Sequence, residues 1–305
     1  MALFFDPIKN VVKNQELFKR RILGLVSYYR TQDKSKIPTV RTNEVVEVPM
    51  SPYQFMLYAK IRKVEIENDK KRGRSKKTTS KKEIDPEQEI FAVKSSYRAY
   101  SRMHCSFVFP ESIPRPYPVN EKGEVIDDEL GDEAEEKDVK SAEKDRAQAY
   151  EVEKGKALKK LDRERETFLV VDEPDKLLKY SPKYNIIVDS IKSMNGTSFV
   201  YTEYKTLEGI AVLSIVLKAN GFAPFNIKKD DAGNWVIDSD PEDEGKPKYA
   251  FWGGNAEESD IIRKVYNNEY DELPKSLRDQ LTKSSKTNTN LRGETIKVLL
   301  TTKTG

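Results

Sequence analysis

The side chains with the widest chemical range in this sequence are a single histidine and a single cysteine, and they are adjacent: His104 and Cys105. One cysteine permits no disulfide within the chain, a usage typical of proteins from a reducing compartment. Two adjacent ligands cannot close the tetrahedron of a structural zinc site. The aromatic neighbours Phe107 and Phe109 favour packing roles for the pair. No metal ligand and no catalytic residue is therefore predicted in this chain.

Nucleotide chemistry would need a phosphate loop in which Gly-Lys is followed by serine or threonine. The lysine and the backbone amides of such a loop hold the triphosphate, and the hydroxyl holds magnesium. The two Gly-Lys pairs here, at residues 155–157 (GKA) and 245–247 (GKP), lack that hydroxyl and lie in charged surroundings. The sequence therefore predicts no ATP-binding loop within these 305 residues.

Residues 168–175 (FLVVDEPD) imitate the acidic box that binds magnesium in ATPases. Such carboxylates must stand at the carboxyl end of a strand, beside the nucleotide, and a β-branched strand here would end in Asp172 and Glu173. Without a phosphate loop, however, these acids have no nucleotide to serve. We interpret the segment as a linker that enters the second compact region.

The formal net charge is only +3, but the charges are unevenly distributed. Residues 70–82 hold eight basic side chains and no acid, whereas residues 121–138 hold ten acids against two lysines. Like-charge blocks of this kind are usually solvated loops. The basic block could instead contact nucleic-acid phosphates, and the sequence leaves both interpretations open.

Membrane insertion and secretion are not indicated by the sequence. No apolar run approaches the ~20 residues that a membrane-spanning helix needs, and the first residues lack the basic leader of a signal peptide. With 34% charged and 37% hydrophobic side chains, the composition is typical of a globular protein with solvated helices or inserts. We expect an intracellular protein without a membrane partner.

The elements that would position a site follow from hydrophobic periodicity. Amphipathic helices are predicted over residues 14–30, after Ser51-Pro52, after Ser181-Pro182 and over 256–267. A highly charged helical segment is predicted over residues 141–166, and a strongly apolar helix over 207–220. Strands are predicted over residues 45–48, 197–202, 249–252 and 295–301, with a hairpin over 222–237. Alternating helices and strands in the second half predict a parallel α/β sheet with right-handed crossovers.

The order of short motifs along the chain resembles the second RecA-like lobe of superfamily 2 helicases, most closely the poxvirus and giant-virus branch that is related to Swi/Snf translocases. These motifs are residues 180–183 (YSPK), 198–201 (SFVY), 209–222, 251–254 (FWGG) and 296–305 (IKVLLTTKTG). Upstream, residues 19–29, 50–54 and 101–110 resemble the inter-lobe region of the same branch. Each motif is weak alone, and their common order carries the resemblance.

The resemblance implies two groups of residues that contact a nucleic-acid strand. The loop after the first strand of the lobe faces the backbone in that family, which here implies Tyr201 and Thr202. A second loop, whose hydroxyls and amides bind phosphates, would begin at Thr301, Thr302, Lys303 and Gly305. The structural alternative stays open, in which the threonines only finish a buried strand.

A third loop and one cation are also implied by the resemblance. Gly253 and Gly254 resemble a loop whose small residues let the backbone approach a phosphate closely. Arg263 resembles a cationic residue on the following helix. An arginine on a helix is commonly a solvated charge, and that interpretation remains open here.

The resemblance further implies an α/β fold: a RecA-like parallel sheet, truncated at residues 296–305, preceded by a mainly helical region. It divides the chain into an inter-lobe region at 1–120 with a basic insert at 70–82, a charged helical linker at 121–166, and the second lobe at 167–305. ATP and Mg²⁺ are implied as cofactors of an intact parent protein, and none for this chain itself.

The expected function is a part of a viral nucleic-acid-dependent ATPase, a helicase or translocase that acts in transcription or genome handling. This part would be inactive alone. Implied partners are nucleic acid, with DNA favoured over RNA, the first RecA-like lobe and the viral transcription machinery; the implied location is the viral factory, host cytoplasm or virion. The alternative is a stand-alone, non-catalytic module that binds nucleic acid or a transcription partner.

Overall fold

The computed structural model describes residues 5–6, 11–22, 39–75, 99–118, 141–284 and 289–302. Contacts between Cα atoms divide the chain into two compact units, Met1–Glu47 and Val48–Gly305. The candidate site residues that are described all belong to the second unit. The domain boundaries expected at residues 120 and 166 stay a prediction, although segments on both sides of them share one core in this unit.

The first unit contains a short antiparallel pair and one helix. Strand β1 (Phe5–Asp6) pairs with strand β2 (Val11–Val12), and helix α1 (Gln15–Ile22) follows. The helix bears out the start of the one predicted over residues 14–30, and residues 23–30 lie outside the described part. Residues 39–47 form no regular element.

The second unit alternates helices with strands. The helices are α2 (Pro52–Ser75), α3 (Ala99–His104), α4 (Ser141–Arg163), α5 (Arg165–Phe168), α6 (Leu177–Tyr180), α7 (Pro182–Ser193), α8 (Val212–Ala219), α9 (Ala256–Tyr266) and α10 (Lys275–Ser284). The strands are β3 (Ser198–Tyr201), β4 (Ala223–Pro224), β5 (Asn226–Lys229), β6 (Trp235–Asp238), β7 (Lys248–Trp252) and β8 (Val298–Thr301).

A four-stranded sheet in the order β3-β8-β7-β4 forms the centre of the second unit, and its neighbouring strands are parallel. This confirms the predicted α/β class with a parallel sheet. Strands β5 and β6 form a separate antiparallel hairpin, which confirms the hairpin predicted over residues 222–237. Because the polypeptide must return after each parallel strand, helices cover both faces of the sheet.

One face of the sheet packs against the larger of two hydrophobic cores. Side chains from β7 and β8 meet helices α4, α7 and α8 and the segment 107–113, with fully buried residues such as Leu161, Leu213 and Leu300. Full burial of each such side chain contributes about 1.5–3 kcal/mol. The charged helix α4 therefore carries a buried stripe that belongs to this core.

The opposite face of the sheet packs against α9, α10 and the β5–β6 hairpin. Ala250 and Leu299 on the sheet contact a core that includes Ile262, Val265 and Leu277. This cover does not extend over β3, whose side chains on the same face, Phe199 and Tyr201, are each 56% exposed.

Two of the helices begin as the sequence predicts, with a serine cap followed by proline. Ser181 Oγ accepts a hydrogen bond of 3.0 Å from the backbone N–H of Tyr184, and Ser51 Oγ accepts one of 3.0 Å from Gln54. These oxygens satisfy amides that the helix itself leaves without partners, and proline at the first helical position has no N–H to satisfy.

One strand prediction is wrong. Residues 45–48 form no strand, and Val45 and Val46 are 92% and 63% exposed, so they have no sheet to join. Residues 168–175, interpreted from the sequence as a linker, form the end of α5 and turns, in which Leu169 and Val171 are buried in the larger core. The backbone there is held by the Asn220 side chain, which donates to Leu169 O (2.9 Å) and accepts from Val171 N–H (3.1 Å).

The predicted helix over residues 207–220 is confirmed only in part. Leu207–Ala211 is a π-type turn with non-helical backbone at Gly209, and the α-helix begins at Val212. The helix ends before Gly221, whose φ of +86° supplies the predicted stop. Among the described residues, no helix is long and apolar enough to span a membrane.

Candidate nucleic-acid interface

Three adjacent strands end in one row at the carboxyl edge of the sheet. The register pairs Tyr201 on β3 with Thr301 on β8, and Thr301 with Trp252 on β7. The residue after β3 continues the pairing, because the backbone N–H of Thr202 donates to Thr301 O over 3.0 Å. Six of the nine predicted contact residues, Tyr201, Thr202, Gly253, Gly254, Thr301 and Thr302, therefore lie together at this edge.

Thr301, the last residue of β8, and Thr302, which follows it, are buried: they are 4% and 5% exposed. The Thr301 hydroxyl donates to Trp252 O (3.2 Å) or to Thr302 O (3.3 Å). In this structure Thr301 therefore finishes a buried strand, and a phosphate contact would require its hydroxyl to exchange partners. Lys303 and Gly305 lie outside the described residues.

The glycine pair after β7 makes a sharp turn that other residues would not adopt. Both φ angles are positive, +153° at Gly253 and +94° at Gly254. A Cβ at Gly253 would lie 2.7 Å from Cζ of Phe251, so the Phe251 ring would have to shift to admit it, and the positive φ angles favour glycine at both positions. The turn leads to Asn255, whose Oδ1 caps α9 by accepting from Glu257 N–H over 3.0 Å.

The loop that follows β3, residues 202–206, is held close to the same edge. The Thr202 hydroxyl donates to Tyr204 O over 2.7 Å. The Lys205 ammonium lies 5.9 Å from the ring centroid of Phe251 on β7, within the range of a cation–π contact. This loop thus reaches across the edge toward the glycine turn.

A buried ion pair that the sequence did not predict anchors the end of this loop. Arg115, in the proline-rich segment, binds both carboxylate oxygens of Glu208, and the two side chains are 6% and 1% exposed. The guanidinium also lies 4.4 Å from the Tyr117 ring and 5.2 Å from the Tyr100 ring. Burial alone would lower the pKa of Arg115, but Glu208 outweighs it and the pKa is raised, so the guanidinium stays charged.

Tyr184 connects the same ion pair to the core, and His104 is buried nearby. The Tyr184 hydroxyl donates to Glu208 O, and burial followed by the Glu208 charge raises the pKa of this hydroxyl. His104, predicted to be a packing residue, is buried with Nδ1 2.8 Å from Tyr100 O. Burial lowers its pKa below the usual range, so the ring is neutral at physiological pH.

Arg263 lies apart from the other predicted contact residues. Helix α9 begins at the carboxyl edge, and Arg263 is seven residues further along, so it lies about 10 Å away along the axis. Its guanidinium binds Asp260 (2.9 Å) and Glu269 (3.0 Å). The C-terminal end of α9 adjoins the start of β8, because Asn290 donates to both Tyr266 O (3.0 Å) and Ile296 O (3.1 Å).

The acidic pair that imitates a magnesium box does not stand at a strand end. Asp172 occupies a turn with φ of +67°, and its backbone N–H donates to Asn185 Oδ1 over 3.2 Å. Burial, and next the charge of Asp172, raise the pKa of the neighbouring Asp189. Within the described residues, no three His, Cys, Asp or Glu side chains are grouped as a metal site requires.

Comparison with known proteins adds an independent observation. The chain is 26% identical over 299 aligned residues to the "Putative ATP-dependent RNA helicase R350" of Acanthamoeba polyphaga mimivirus, covering 80% of this chain and 33% of that protein. It is 25% identical over 281 residues to the "Putative ATP-dependent RNA helicase R563" of the same virus, covering 90% and 35%. The chain thus spans about one third of the length of these relatives.

No family model matches the chain, and no solved structure matches it. The similarity to the two viral proteins is weak but extends over most of the chain. It therefore supports a helicase-like family for this chain, whose parallel four-stranded sheet is consistent with a RecA-like lobe.

Proposed function

We propose that this chain supplies the nucleic-acid contacts of a second RecA-like lobe in a nucleic-acid-dependent ATPase of giant-virus type. The single observation that supports this proposal most directly is the common edge at which β3, β8 and β7 end. Ligands of parallel α/β sheets bind at the carboxyl ends of the strands. Here that edge carries a hydroxyl pair, a glycine turn and the loop at residues 202–206.

The partner in this proposal is a strand of nucleic acid held through its phosphates. Hydroxyls and backbone amides in tight turns are suitable donors for phosphate oxygens, and such contacts position a strand without reading its bases. DNA is the partner expected from the resemblance, whereas both viral relatives are named as RNA helicases. A binding test must therefore compare the two.

We predict that Thr302→Val weakens binding of a fluorescein-labelled single strand, because one hydrogen bond to a phosphate is lost. The expected loss is about three- to tenfold in Kd, as for a typical hydrogen bond. Fluorescence anisotropy with DNA and RNA strands of the same sequence measures the effect.

The matched control is Thr295→Val, which removes another buried hydroxyl. Thr295 is 8% exposed and precedes β8 at the opposite edge of the sheet, where its Oγ1 lies 2.8 Å from the Tyr270 hydroxyl. A general loss of stability would weaken strand binding by the Thr302→Val and Thr295→Val variants equally. Wild-type protein that binds neither DNA nor RNA would contradict the proposal outright.

ATP hydrolysis, in this proposal, belongs to a parent protein that supplies the phosphate loop and Mg²⁺, together with the first RecA-like lobe. We predict that the 305-residue chain releases no phosphate from ATP above the protein-free background, with or without nucleic acid. A phosphate-release assay checks this. Strand-stimulated turnover that Asp172→Ala abolishes would show instead that the acidic pair serves a nucleotide.

The setting proposed for the parent is viral transcription or genome handling in the infected cell. The viral origin of the two similar proteins supports this setting. In such an ATPase, closure of the two lobes around ATP would shift the strand contacts at the edge of the sheet. The viral transcription machinery is then a further candidate partner.

A further inference from the structure

Two cations lie beside the loop that follows β3, and the function proposed above does not use them. Arg102 is on α3, where Ala99, Tyr100, Ser101 and His104 are buried, so Arg102 is an exposed side chain on a rigidly packed helix. Lys183 is exposed in the first turn of α7. The positive end of the helix dipole disfavours a lysine in the first turn. A contribution to helix stability therefore does not explain why a lysine stands at position 183.

Hydrogen bonds fix the position of the first turn of α7, which carries Lys183, relative to the loop. On one side of it, the Ser181 hydroxyl donates to Ser106 O, just beyond α3. On the other side, the Tyr184 hydroxyl donates to Glu208 O, at the end of the loop. The turn that carries Lys183 therefore lies between α3 and the loop that leaves the carboxyl end of β3.

Both cations act electrostatically on the thiol of Cys105, the residue that follows α3. Burial raises the pKa of this thiol, and Lys183 and Arg102 both act in the opposite direction. The nearby carboxylate of Glu65 is already engaged, since it accepts from Ser101 N–H (3.0 Å) and from Arg62 (3.2 Å). The two cations thus create a local excess of positive charge beside the loop.

Arg102 forms an ion pair with one carboxylate on the loop in this structure. Glu203 binds the Arg102 guanidinium, and both side chains are 45% exposed. Exposed ion pairs of this kind contribute little to stability, so the pair can open at small cost. A guanidinium binds phosphate oxygens in the same bidentate way as it binds carboxylate.

We propose that Arg102 and Lys183 bind a backbone phosphate of the strand, and that Glu203 holds Arg102 in place until the phosphate displaces it. The site rests on the proposed function, because the strand must already lie at the carboxyl edge of the sheet. It extends the interface from the strand ends to a helix of the upstream segment. Glu203 then sets the affinity by competing with the strand for one guanidinium.

The opposite effects of two substitutions test this competition. Glu203→Gln is expected to tighten binding of a labelled single strand about two- to fivefold, because Arg102 no longer has a competing carboxylate. Arg102→Gln and Lys183→Gln are each expected to weaken it by up to about eightfold near 50 mM salt. Because the two cations share one phosphate, each variant should also reduce the slope of log Kd against log salt by up to about 0.7, the value for one phosphate contact on a single strand.

The matched control is the ion pair of Lys246 and Asp243 (2.8 Å) in the turn that precedes β7, at the amino edge of the sheet. Lys246→Gln and Asp243→Asn should leave Kd and the salt slope unchanged. If these two control variants change Kd and the salt slope as much as the Arg102 and Glu203 variants do, the effect reflects net charge alone and the proposal is overturned.

Two further outcomes separate this site from the function on which it rests. Strand binding that Thr302→Val weakens but Glu203→Gln and Arg102→Gln leave unchanged would overturn the phosphate site alone. The second outcome concerns the binding of inorganic pyrophosphate to the chain, measured at matched ionic strength. If it binds the chain with the same dependence on Glu203 and Arg102, the site is a general anion site and the assignment to a nucleic-acid backbone is wrong.

Discussion

Replacing Arg115 with methionine is expected to lower the free energy of unfolding by about 3–5 kcal/mol, the usual cost of leaving one buried charge without its partner. The Glu208 carboxylate would remain in a site where it is 1% exposed. Methionine keeps much of the volume of the arginine stem, so the loss reports the charge rather than a cavity. Chemical denaturation followed by tryptophan fluorescence measures it.

Two comparisons make this result interpretable. The double variant Arg115→Met with Glu208→Leu should recover most of the stability, because an apolar replacement of a buried pair is often neutral. Arg102→Met opens the exposed pair with Glu203 and should cost at most about 1 kcal/mol. Equal losses from Arg115→Met and Arg102→Met would show that the buried pair does not anchor the loop.

Gly209→Ala is expected to disrupt the structure around the π-type turn more severely than any conservative core substitution. An added Cβ would lie 1.6 Å from the carbonyl oxygen of Tyr204. That oxygen also accepts hydrogen bonds from Ile210 N–H (3.0 Å) and from the Thr202 hydroxyl (2.7 Å). Since backbone must move to relieve the contact, we expect a loss beyond about 4 kcal/mol.

Thermal unfolding, together with hydrogen exchange of the amides between residues 204 and 212, measures the effect of Gly209→Ala. Gly155→Ala is the matched control, because a Cβ there meets nothing within 4 Å and Gly155 lies inside α4. In a helix interior this change should stabilise by about 1 kcal/mol. A Gly209→Ala variant that unfolds at the wild-type temperature would mean that the turn adapts to the methyl group.

Local signals in the sequence were sufficient to predict most of the second unit. The cap and proline before α7 and the glycine after α8 depend on neighbouring residues, and these predictions hold. The parallel sheet followed from the alternation of helices and strands. The valine-rich run at residues 45–48 misled, because Val45 and Val46 are exposed and have no sheet to join, and a local pattern carries no information about such a partner.

The candidate interface also contains some features that the sequence predicted and others that it did not. The strand ends could be placed from the sequence, since register and parallel direction bring Tyr201, Thr301 and Trp252 into one row. The two ion pairs that hold the loop after β3 could not be predicted from the sequence. Arg115 and Glu208 are 93 residues apart, and Arg102 and Glu203 are 101 residues apart. No periodic pattern links residues at such separations.

The position of β3 at the end of the sheet has a consequence for the behaviour of the chain in concentrated solution. Among the described strands, β3 pairs on one side only, so no described strand takes up the backbone donors and acceptors of its other side. Residues 197–202 (TSFVYT) carry no charge, and β-branched and aromatic side chains predominate. Such a segment is a template for cross-β stacking. Copies of this chain would therefore tend to add to one another edge to edge and form fibrillar aggregates.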